Sequence, residues 1–257
     1  MLRSRVIPCL LVHNKGLVKT VKFKSPKYVG DPINAVKIFN EKEVDELIVF
    51  DIDATVNGVE PNYQMVAYLA NESSMPLCYG GGVKTAEQAQ KIIKLGVEKV
   101  AVSSGAISNP QLLVDMASII GRQSVVVVLD VRKTMFGSYE IYSHNGKTKV
   151  RKDLFVFIAE LERIGIGELV INSIDKDGVM KGYDLALIKK VRDCVNLPLT
   201  ILGGAGSVDD ILNLIDEYKI IGASAGSLFV FKGVYKAVLI SYLPDFILNK
   251  IRLFSKR

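Results

Sequence analysis

The sequence predicts an α/β fold, one closed (βα)8 barrel (a TIM barrel) with a two-fold internal repeat, spanning residues 1–257 as a single domain. The length of 257 residues suits one such barrel of about 250 residues, although two smaller domains are the alternative at this length. Apolar runs alternate with longer helical patterns, which is typical of β/α units. Residues 76–82 and 198–204 have similar glycine-rich sequences, which indicates a duplicated half-barrel.

The apolar, β-branched runs give the strands in order. They are predicted at 6–12, 46–50, 77–79, 99–102, 124–129, 168–171, 199–202 and 220–223. Helical patterns lie between them, as at 86–95 and 208–218. The N-terminal apolar run resembles a short signal peptide, but it lacks a small-residue cleavage site and is interpreted as the first strand.

Two segments interrupt the regular alternation. Residues 15–31 follow the first strand and are predicted to form a long loop that acts as a lid at the barrel mouth. Residues 133–152 follow the fifth strand and are predicted to form a hairpin, because Asn145-Gly146 is typical of a type I′ turn.

Composition limits the class of protein. The chain is 49% hydrophobic and 23% charged, which is ordinary for a globular domain, and no apolar run reaches the length of a membrane span. The formal charge of +6 favours anionic small substrates over nucleic acid, because the basic residues are scattered. Three cysteines without metal spacing indicate reduced thiols and a cytoplasmic protein. The basic C-terminal tail is expected to be the last barrel helix, with a membrane-surface helix as the alternative.

The glycine-rich strand ends predict two phosphate sites on opposite sides of the barrel mouth. Glycine leaves backbone N–H groups open to an anion, and serine adds a hydroxyl donor. The alternative is that these residues only form tight turns and helix caps. The first predicted site contains Gly81, Gly82, Ser103 and Ser104, and the second contains Gly203, Gly204, Gly226 and Ser227.

Acidic and basic residues near strand ends are the candidates for chemistry. Asp130 ends the fifth strand and is the predicted catalytic acid or base, since carboxylates at that end of a barrel strand are commonly catalytic. Asp177 and Gly178 follow the sixth strand and are predicted to bind hydroxyl groups of the substrate. The alternative is that the acidic residue only caps a helix. Asp53 and Asp175 carry the same two interpretations. Lys19 lies in the predicted lid and is a candidate to bind a substrate phosphate with its ammonium group. The alternative is a solvent-exposed surface lysine.

No cofactor or metal site is predicted. His13 and His144 are the only histidines in the sequence, and neither has the neighbours of a triad or a metal centre.

Four charged residues stand where strands begin. Their signs alternate, and together they would close the barrel core at its N-terminal face, where burial requires every charge to have a partner. They are Arg5, Glu46, Lys99 and Glu168.

In combination these residues resemble the cyclase subunit of imidazole glycerol phosphate synthase (HisF) over nearly the full chain. The matching stretches are Arg5-Val-Ile-Pro-Cys9, Lys19, Gly30-Asp31-Pro32, Asp45-Glu46-Leu47, Asp51-Ile52, Gly80-Gly81-Gly82, Lys99-Val-Ala-Val, Asp130, Glu168, Ser173-Ile-Asp175-Lys-Asp177-Gly178, Gly203-Gly204-Ala-Gly206 and Gly226-Ser227.

The resemblance implies a partner and a substrate class. A glutaminase would dock on the N-terminal barrel face, and ammonia would enter through a charged gate that corresponds to Arg5, Glu46, Lys99 and Glu168. The family's substrate is a ribulosyl-linked nucleotide with two phosphates, which implies a phosphorylated or nucleotide-linked ligand here.

The chain departs from the family at the catalytic pair, because Leu11 stands where the second aspartate is expected opposite Asp130. Ser103-Ser104, Asn172 and Leu202 also differ from the family's residues. The pattern resembles a divergent branch that serves acetamidino-sugar formation in cell-surface glycan synthesis. That branch implies a separate ATP-dependent amidating enzyme as a further partner. The alternatives are a true cyclase of histidine synthesis, a non-catalytic scaffold that binds a glutaminase, and an isomerase of the related two-phosphate barrels.

Overall fold

The computed structural model describes residues 3–254 of the chain. The strands, numbered in chain order, are β1 (Arg5–His13), β2 (Gly16–Val21), β3 (Lys24–Gly30), β4 (Leu47–Asp51), β5 (Leu77–Gly80), β6 (Lys99–Val102), β7 (Val125–Lys133), β8 (Tyr139–Ser143), β9 (Thr148–Asp153), β10 (Glu168–Ser173), β11 (Leu199–Leu202), β12 (Gly222–Ala225), β13 (Phe231–Lys232) and β14 (Ala237–Val238).

The helices are numbered in the same way. They are α1 (Pro32–Glu41), α2 (Tyr63–Glu72), α3 (Ala86–Lys94), α4 (Ser104–Ser108), α5 (Gln111–Ile120), α6 (Leu154–Ile164), α7 (Leu185–Arg192), α8 (Val208–Tyr218), α9 (Ser227–Val230) and α10 (Asp245–Phe254). None of the helices within residues 3–254 is both long enough and apolar enough to cross a membrane.

Eight parallel strands close into a barrel in the order β1, β4, β5, β6, β7, β10, β11 and β12. Closure is complete because β12 pairs with β1 and β10 pairs with both β7 and β11. This confirms the predicted (βα)8 barrel, and each predicted strand overlaps one barrel strand. Boundaries differ by a few residues, as at β12, which begins at Gly222.

The two halves of the barrel repeat each other element by element. An antiparallel hairpin follows the first strand of each half, β2–β3 after β1 and β8–β9 after β7. A helix with a capping box follows each glycine-rich turn, with N-caps at Thr85 and Ser207. Short helices α4 and α9 follow β6 and β12. The internal two-fold repeat is thus present in the structure.

The segment after β1 is the main difference from the sequence-based prediction. Residues 15–31 were expected to be a loop, but they form strands β2 and β3, which extend the barrel sheet beyond the mouth. The predicted hairpin after β7 is confirmed, and its turn has positive φ angles at Asn145 and Gly146.

Two apolar layers hold the fold together. The larger packs the outward faces of the barrel strands against the helices, and the smaller fills the inside of the barrel. The C-terminal helix α10 packs against α8 with Leu248 and Ile251 buried, as expected for a last barrel helix.

Candidate functional site

A cavity opens at the C-terminal ends of the barrel strands. Among the predicted catalytic, phosphate-binding and substrate-binding residues, twelve line it, whereas Asp53 and Asp175 do not. The twelve are Lys19, Gly81, Gly82, Ser103, Ser104, Asp130, Asp177, Gly178, Gly203, Gly204, Gly226 and Ser227. The fold therefore brings together residues that are dispersed over most of the chain, while their individual roles stay predictions.

The first glycine turn lies between β5 and α3. Gly81 and Gly82 have φ angles of 131° and 75°, which side chains rarely adopt. A Cβ at Gly81 would lie 2.4 Å from the Asp51 carbonyl oxygen, so the backbone needs glycine for close approach as well. The Gly82 N–H donates to the Thr55 hydroxyl at 3.3 Å. The Ser103 hydroxyl is buried and has no protein partner among the described residues.

The second glycine turn lies between β11 and α8 and repeats this geometry. Gly203 and Gly204 have φ angles of 93° and 122°. A Cβ at Gly204 would lie 2.3 Å from the Gly182 carbonyl oxygen, and the Gly182 N–H donates to the Gly204 carbonyl at 3.0 Å. Both turns thus serve as tight turns, and both expose backbone to the same cavity.

Lys19 is buried on β2 instead of lying in a solvated loop. Its side chain is 6% exposed, and its ammonium group donates to the Cys9 carbonyl. A Cβ at Gly226 would lie 2.5 Å from Lys19 Nζ, so this glycine makes room for the ammonium group beside the second predicted phosphate site. Burial lowers the pKa of Lys19, although the nearby Cys9 and Asp177 would each raise it.

Asp177 fastens the β2–β3 hairpin to the loop after β10. Its carboxylate accepts hydrogen bonds from the Thr20 hydroxyl at 2.7 Å and from the Phe23 N–H at 3.2 Å. Its carbonyl accepts from the Lys22 N–H at 2.9 Å. Burial raises the pKa of Asp177, and the Thr20 bond opposes that shift. The hairpin is therefore held over the cavity by this residue.

Asp130 lies on β7 and lines the cavity. The strand does not end at Asp130 as predicted, because its last three residues continue into the antiparallel pairing with β8. The Asn172 side-chain amide donates to Asp130 Oδ1 at 2.9 Å. Burial raises the pKa of Asp130 to about 7, opposed by the Asn172 bond. Leu11 and Leu202 line the same cavity. Asp130 therefore shares the cavity with the apolar side chains of Leu11 and Leu202.

Asp53 and Asp175 are engaged in local structure. Asp53 Oδ1 lies 2.6 Å from His13 Nδ1, and Asp53 Oδ2 accepts from the Asn14 N–H. Asp175 accepts from the Lys133 N–H at 2.8 Å. These contacts favour the structural interpretation of both residues.

The hairpin β8–β9 also reaches across the mouth, which sequence reasoning did not anticipate. The Asn145 side chain donates to the Ile52 carbonyl at 2.7 Å. A Cβ at Gly146 would lie 3.1 Å from the Phe23 ring. His144, Asn145 and Phe23 all line the cavity, so the tips of the two hairpins form its roof.

At the other end of the barrel, the four predicted charges form a closed ring. Glu168 accepts from Arg5 at 2.8 Å and from Lys99 at 2.9 Å. Glu46 accepts from Lys99 at 2.8 Å and also from Arg5. Thr200, which was not among the predicted ring residues, donates to Glu168 at 2.5 Å.

The ring charges depend on one another because the site is largely buried. Burial alone would lower the pKa values of Arg5 and Lys99, but the two carboxylates reverse this and raise both. Burial would raise the pKa of Glu168, yet the two cations and Thr200 hold it below its usual value. Burial and the charge of Glu168 raise the pKa of Glu46. The ring is therefore a balanced cluster with two charges of each sign.

An apolar cluster fills the barrel between the ring and the cavity. It contains small and aliphatic side chains, including Cys9, Cys78 and Ala101. Burial raises the pKa of the Cys9 thiol to about 12 and also raises that of Cys78, so both thiols are neutral at physiological pH. An ion would be strongly disfavoured in these apolar surroundings, more so than a neutral molecule. In the described part of the chain, no group of His, Cys, Asp and Glu side chains could hold a metal ion.

The chain is thus a (βα)8 barrel with paired glycine turns at its mouth and a charged ring at its base. The family model described as "Histidine biosynthesis protein" matches residues 5–236. The chain therefore belongs to this family, in its HisF group.

Relatives in the group cover nearly the whole chain. The "Putative imidazole glycerol phosphate synthase subunit hisF3" of Vibrio vulnificus (strain YJ016) is 58% identical over 94% of both chains. The "Putative imidazole glycerol phosphate synthase subunit hisF2" of Pseudomonas aeruginosa is 51% identical over 98% of this chain and 99% of its own. The "Imidazole glycerol phosphate synthase subunit HisF" of Streptococcus sanguinis (strain SK36) is 38% identical over 89% of this chain and 91% of its own.

Proposed function

We propose that this chain is a HisF-type subunit of a glutamine amidotransferase complex. A glutaminase docks on the N-terminal barrel face, and ammonia passes the ring of Arg5, Glu46, Lys99 and Glu168 into the barrel. The names of the relatives support this assignment, since they refer to imidazole glycerol phosphate synthase subunits. The closed ring and the apolar interior support the route, because ammonia is neutral and small.

One observation favours a final acceptor other than the family's nucleotide. The ring is intact with each charge paired, whereas the resemblance to the family places Leu11 where a second catalytic aspartate is expected. Leu11 and Asp130 line the same cavity. A leucine cannot transfer a proton, and general acid–base catalysis by one group contributes about 10²–10⁴-fold. The ammonia machinery is kept while the cyclase pair is lost. We infer that the ammonia serves amidation in acetamidino-sugar formation for a cell-surface glycan.

The acceptor in this proposal is activated by a separate ATP-dependent enzyme. Two fully exposed apolar tips stand beyond the C-terminal ends of β7 and β12, Met135 with Phe136 and Val234 with Tyr235. Their exposed fractions lie between 95% and 100%. Aromatic residues and methionine are enriched at protein interfaces, so these tips suit docking of that enzyme over the mouth.

A true cyclase of histidine synthesis is the second candidate. The retained Asp130, Lys19 and both glycine turns around one cavity favour it, as do the names of the relatives. A purely structural partner of a glutaminase would need none of these groups, so that alternative is less well supported.

Turnover of the family's ribulosyl-linked nucleotide with an ammonium salt as nitrogen donor separates the two candidates. Ammonium bypasses the glutaminase, so only the barrel chemistry is measured. We expect turnover well below about one per second, the lower end for ordinary enzymes. Leu11→Asp is the matched variant, and it should restore only part of the rate because Asn172 and Leu202 also line the cavity. Turnover of the unmodified chain at about one per second or above would return it to histidine synthesis.

A further inference from the structure

Asn172 has an unused acceptor at the end of the apolar interior. The residue is 6% exposed, and its Nδ2 donates to Asp130 Oδ1 at 2.9 Å. That bond fixes the orientation of the amide, which leaves the carbonyl oxygen free. Asn172 Oδ1 is buried and has no hydrogen-bond partner among the residues that the structure describes. A buried carbonyl without a donor is costly, so this oxygen calls for a ligand.

The surroundings keep that oxygen accessible from the cavity. Asn172 and Gly203 both line the cavity, and a Cβ at Gly203 would lie 3.2 Å from Asn172 Oδ1. Leu11 and Leu202 border the same space and offer no hydrogen-bond donor. The site thus presents acceptors, an amide carbonyl and the Asp130 carboxylate, in an apolar frame.

We propose that Asn172 Oδ1 and the Asp130 carboxylate form a receiving site for ammonium at the mouth end of the barrel interior. Ammonium has several N–H donors and one positive charge, so it satisfies the orphan carbonyl and balances the carboxylate together. Leucine at positions 11 and 202 removes competing polar groups, which leaves this pair to hold the nitrogen. The residue assignment rests on the proposed function, in which ammonia reaches this cavity.

Burial is the main cause of the raised pKa of Asp130, about 7. The charge of Asp177 contributes to the same shift. A bound cation would lower the pKa of Asp130, because an opposite charge favours the ionised form.

Titration of the full chain with ammonium chloride at pH 8 tests the site directly. The probe is the carboxyl carbon resonance of Asp130 in protein labelled with ¹³C-aspartate, and sodium chloride at equal ionic strength is the reference. We expect a saturable shift with ammonium and none with sodium. Asn172→Leu should weaken ammonium binding by about tenfold or more, since a hydrogen bond to a charged group contributes about 1.5–3 kcal/mol.

Asn213→Leu is the matched control, because Asn213 lies exposed on α8, and it should bind ammonium like the native chain. If Asn172→Leu does not fold, Asn172→Ala carries the same comparison with the same expected loss. Native-like binding in the Asn172 variant, no saturable shift in the native chain, or an equal response to sodium would overturn the proposal. The titration uses no glutaminase, so its failure leaves the docking proposal intact, and failed docking leaves the titration interpretable.

Discussion

At the scale of single residues, the proposed chemistry depends on Asp130 and the side chains that share its cavity. Asp130 borders the cavity beside Asn172, and its pKa is raised to about 7 chiefly by burial. Leu11 and Leu202 line the same cavity and carry no ionisable group, so Asp130 can exchange a proton or hold a cation there without a carboxylate at either of those positions. The expected two-carboxylate division into an acid and a base is absent.

Asp130→Asn should raise stability, and more so at high pH. The pKa of Asp130 is higher in the folded chain than the usual value of about 3.9 in an unfolded chain. Its linkage is therefore most favourable below pH 4 and is lost as the pH rises to about 7. Water in the cavity screens part of this cost, so we expect a gain of about 1–3 kcal/mol at pH 8 and less at pH 5. Urea unfolding of both proteins at the two pH values measures the difference. An equal effect at pH 5 and pH 8 would contradict the raised pKa.

Among the elements, the two hairpins give the mouth its roof. The β2–β3 turn places Lys22 and Phe23 at φ angles of 53° and 63°, a conformation that disfavours residues with side chains. Asp177 accepts hydrogen bonds from both of these backbone N–H groups and from Thr20. The clamp therefore compensates for an unfavourable turn.

Thr20→Val should loosen this hairpin without unfolding the barrel. Valine keeps the shape of threonine but removes the donor to Asp177, at a cost of about 1–2 kcal/mol. We expect amide hydrogen exchange in β2 and β3 to become about tenfold faster while the exchange of β10 is unchanged. Thr148→Val, at an exposed position on β9, is the matched control. Unchanged exchange in β2 and β3 would show that Asp177 does not hold the hairpin.

The same turn shows what the sequence could predict and what it could not. The barrel strands were predictable because each is a β-branched run, and the hairpin after β7 was predictable because Asn145-Gly146 suits positive φ angles. The hairpin after β1 was missed because Lys22 and Phe23 carry no such signal. Its stabilising partner, Asp177, lies far away in sequence.

For the cavity and the ring, the sequence indicated which residues lie close together but not how their side chains contact one another. Strand ends predicted the glycine turns and Asp130, because the C-terminal ends of parallel strands meet at one face. The orientation of the Asn172 amide depends on a hydrogen bond across two strands, and Thr200 joins the ring through a neighbouring strand. Side-chain pairings of this kind are set by barrel register, which the residue pattern alone does not fix.

At the scale of the whole molecule, the charged ring and the cavity lie at opposite ends of one apolar barrel interior. Buried charges are costly unless each is paired, and removal of one partner from such a cluster typically costs about 3–5 kcal/mol. Hydrophobic residues could close the barrel base without the desolvation cost of buried charges. We therefore attribute the ring of Arg5, Glu46, Lys99 and Glu168 to a function of that face. In the proposed account, this use is admission of ammonia from a docked glutaminase.

Calorimetric titration of the cognate glutaminase into this chain, combined with an assay of glutamine hydrolysis, tests that account most directly. We expect a dissociation constant of about 1 μM or lower. We also expect glutamine hydrolysis to rise when the two proteins bind. Phe136→Ser, on the exposed tip beyond β7, should bind equally well because it lies at the mouth end. The absence of binding heat at micromolar concentrations, together with unchanged hydrolysis, would contradict the assignment of this chain as a glutaminase partner.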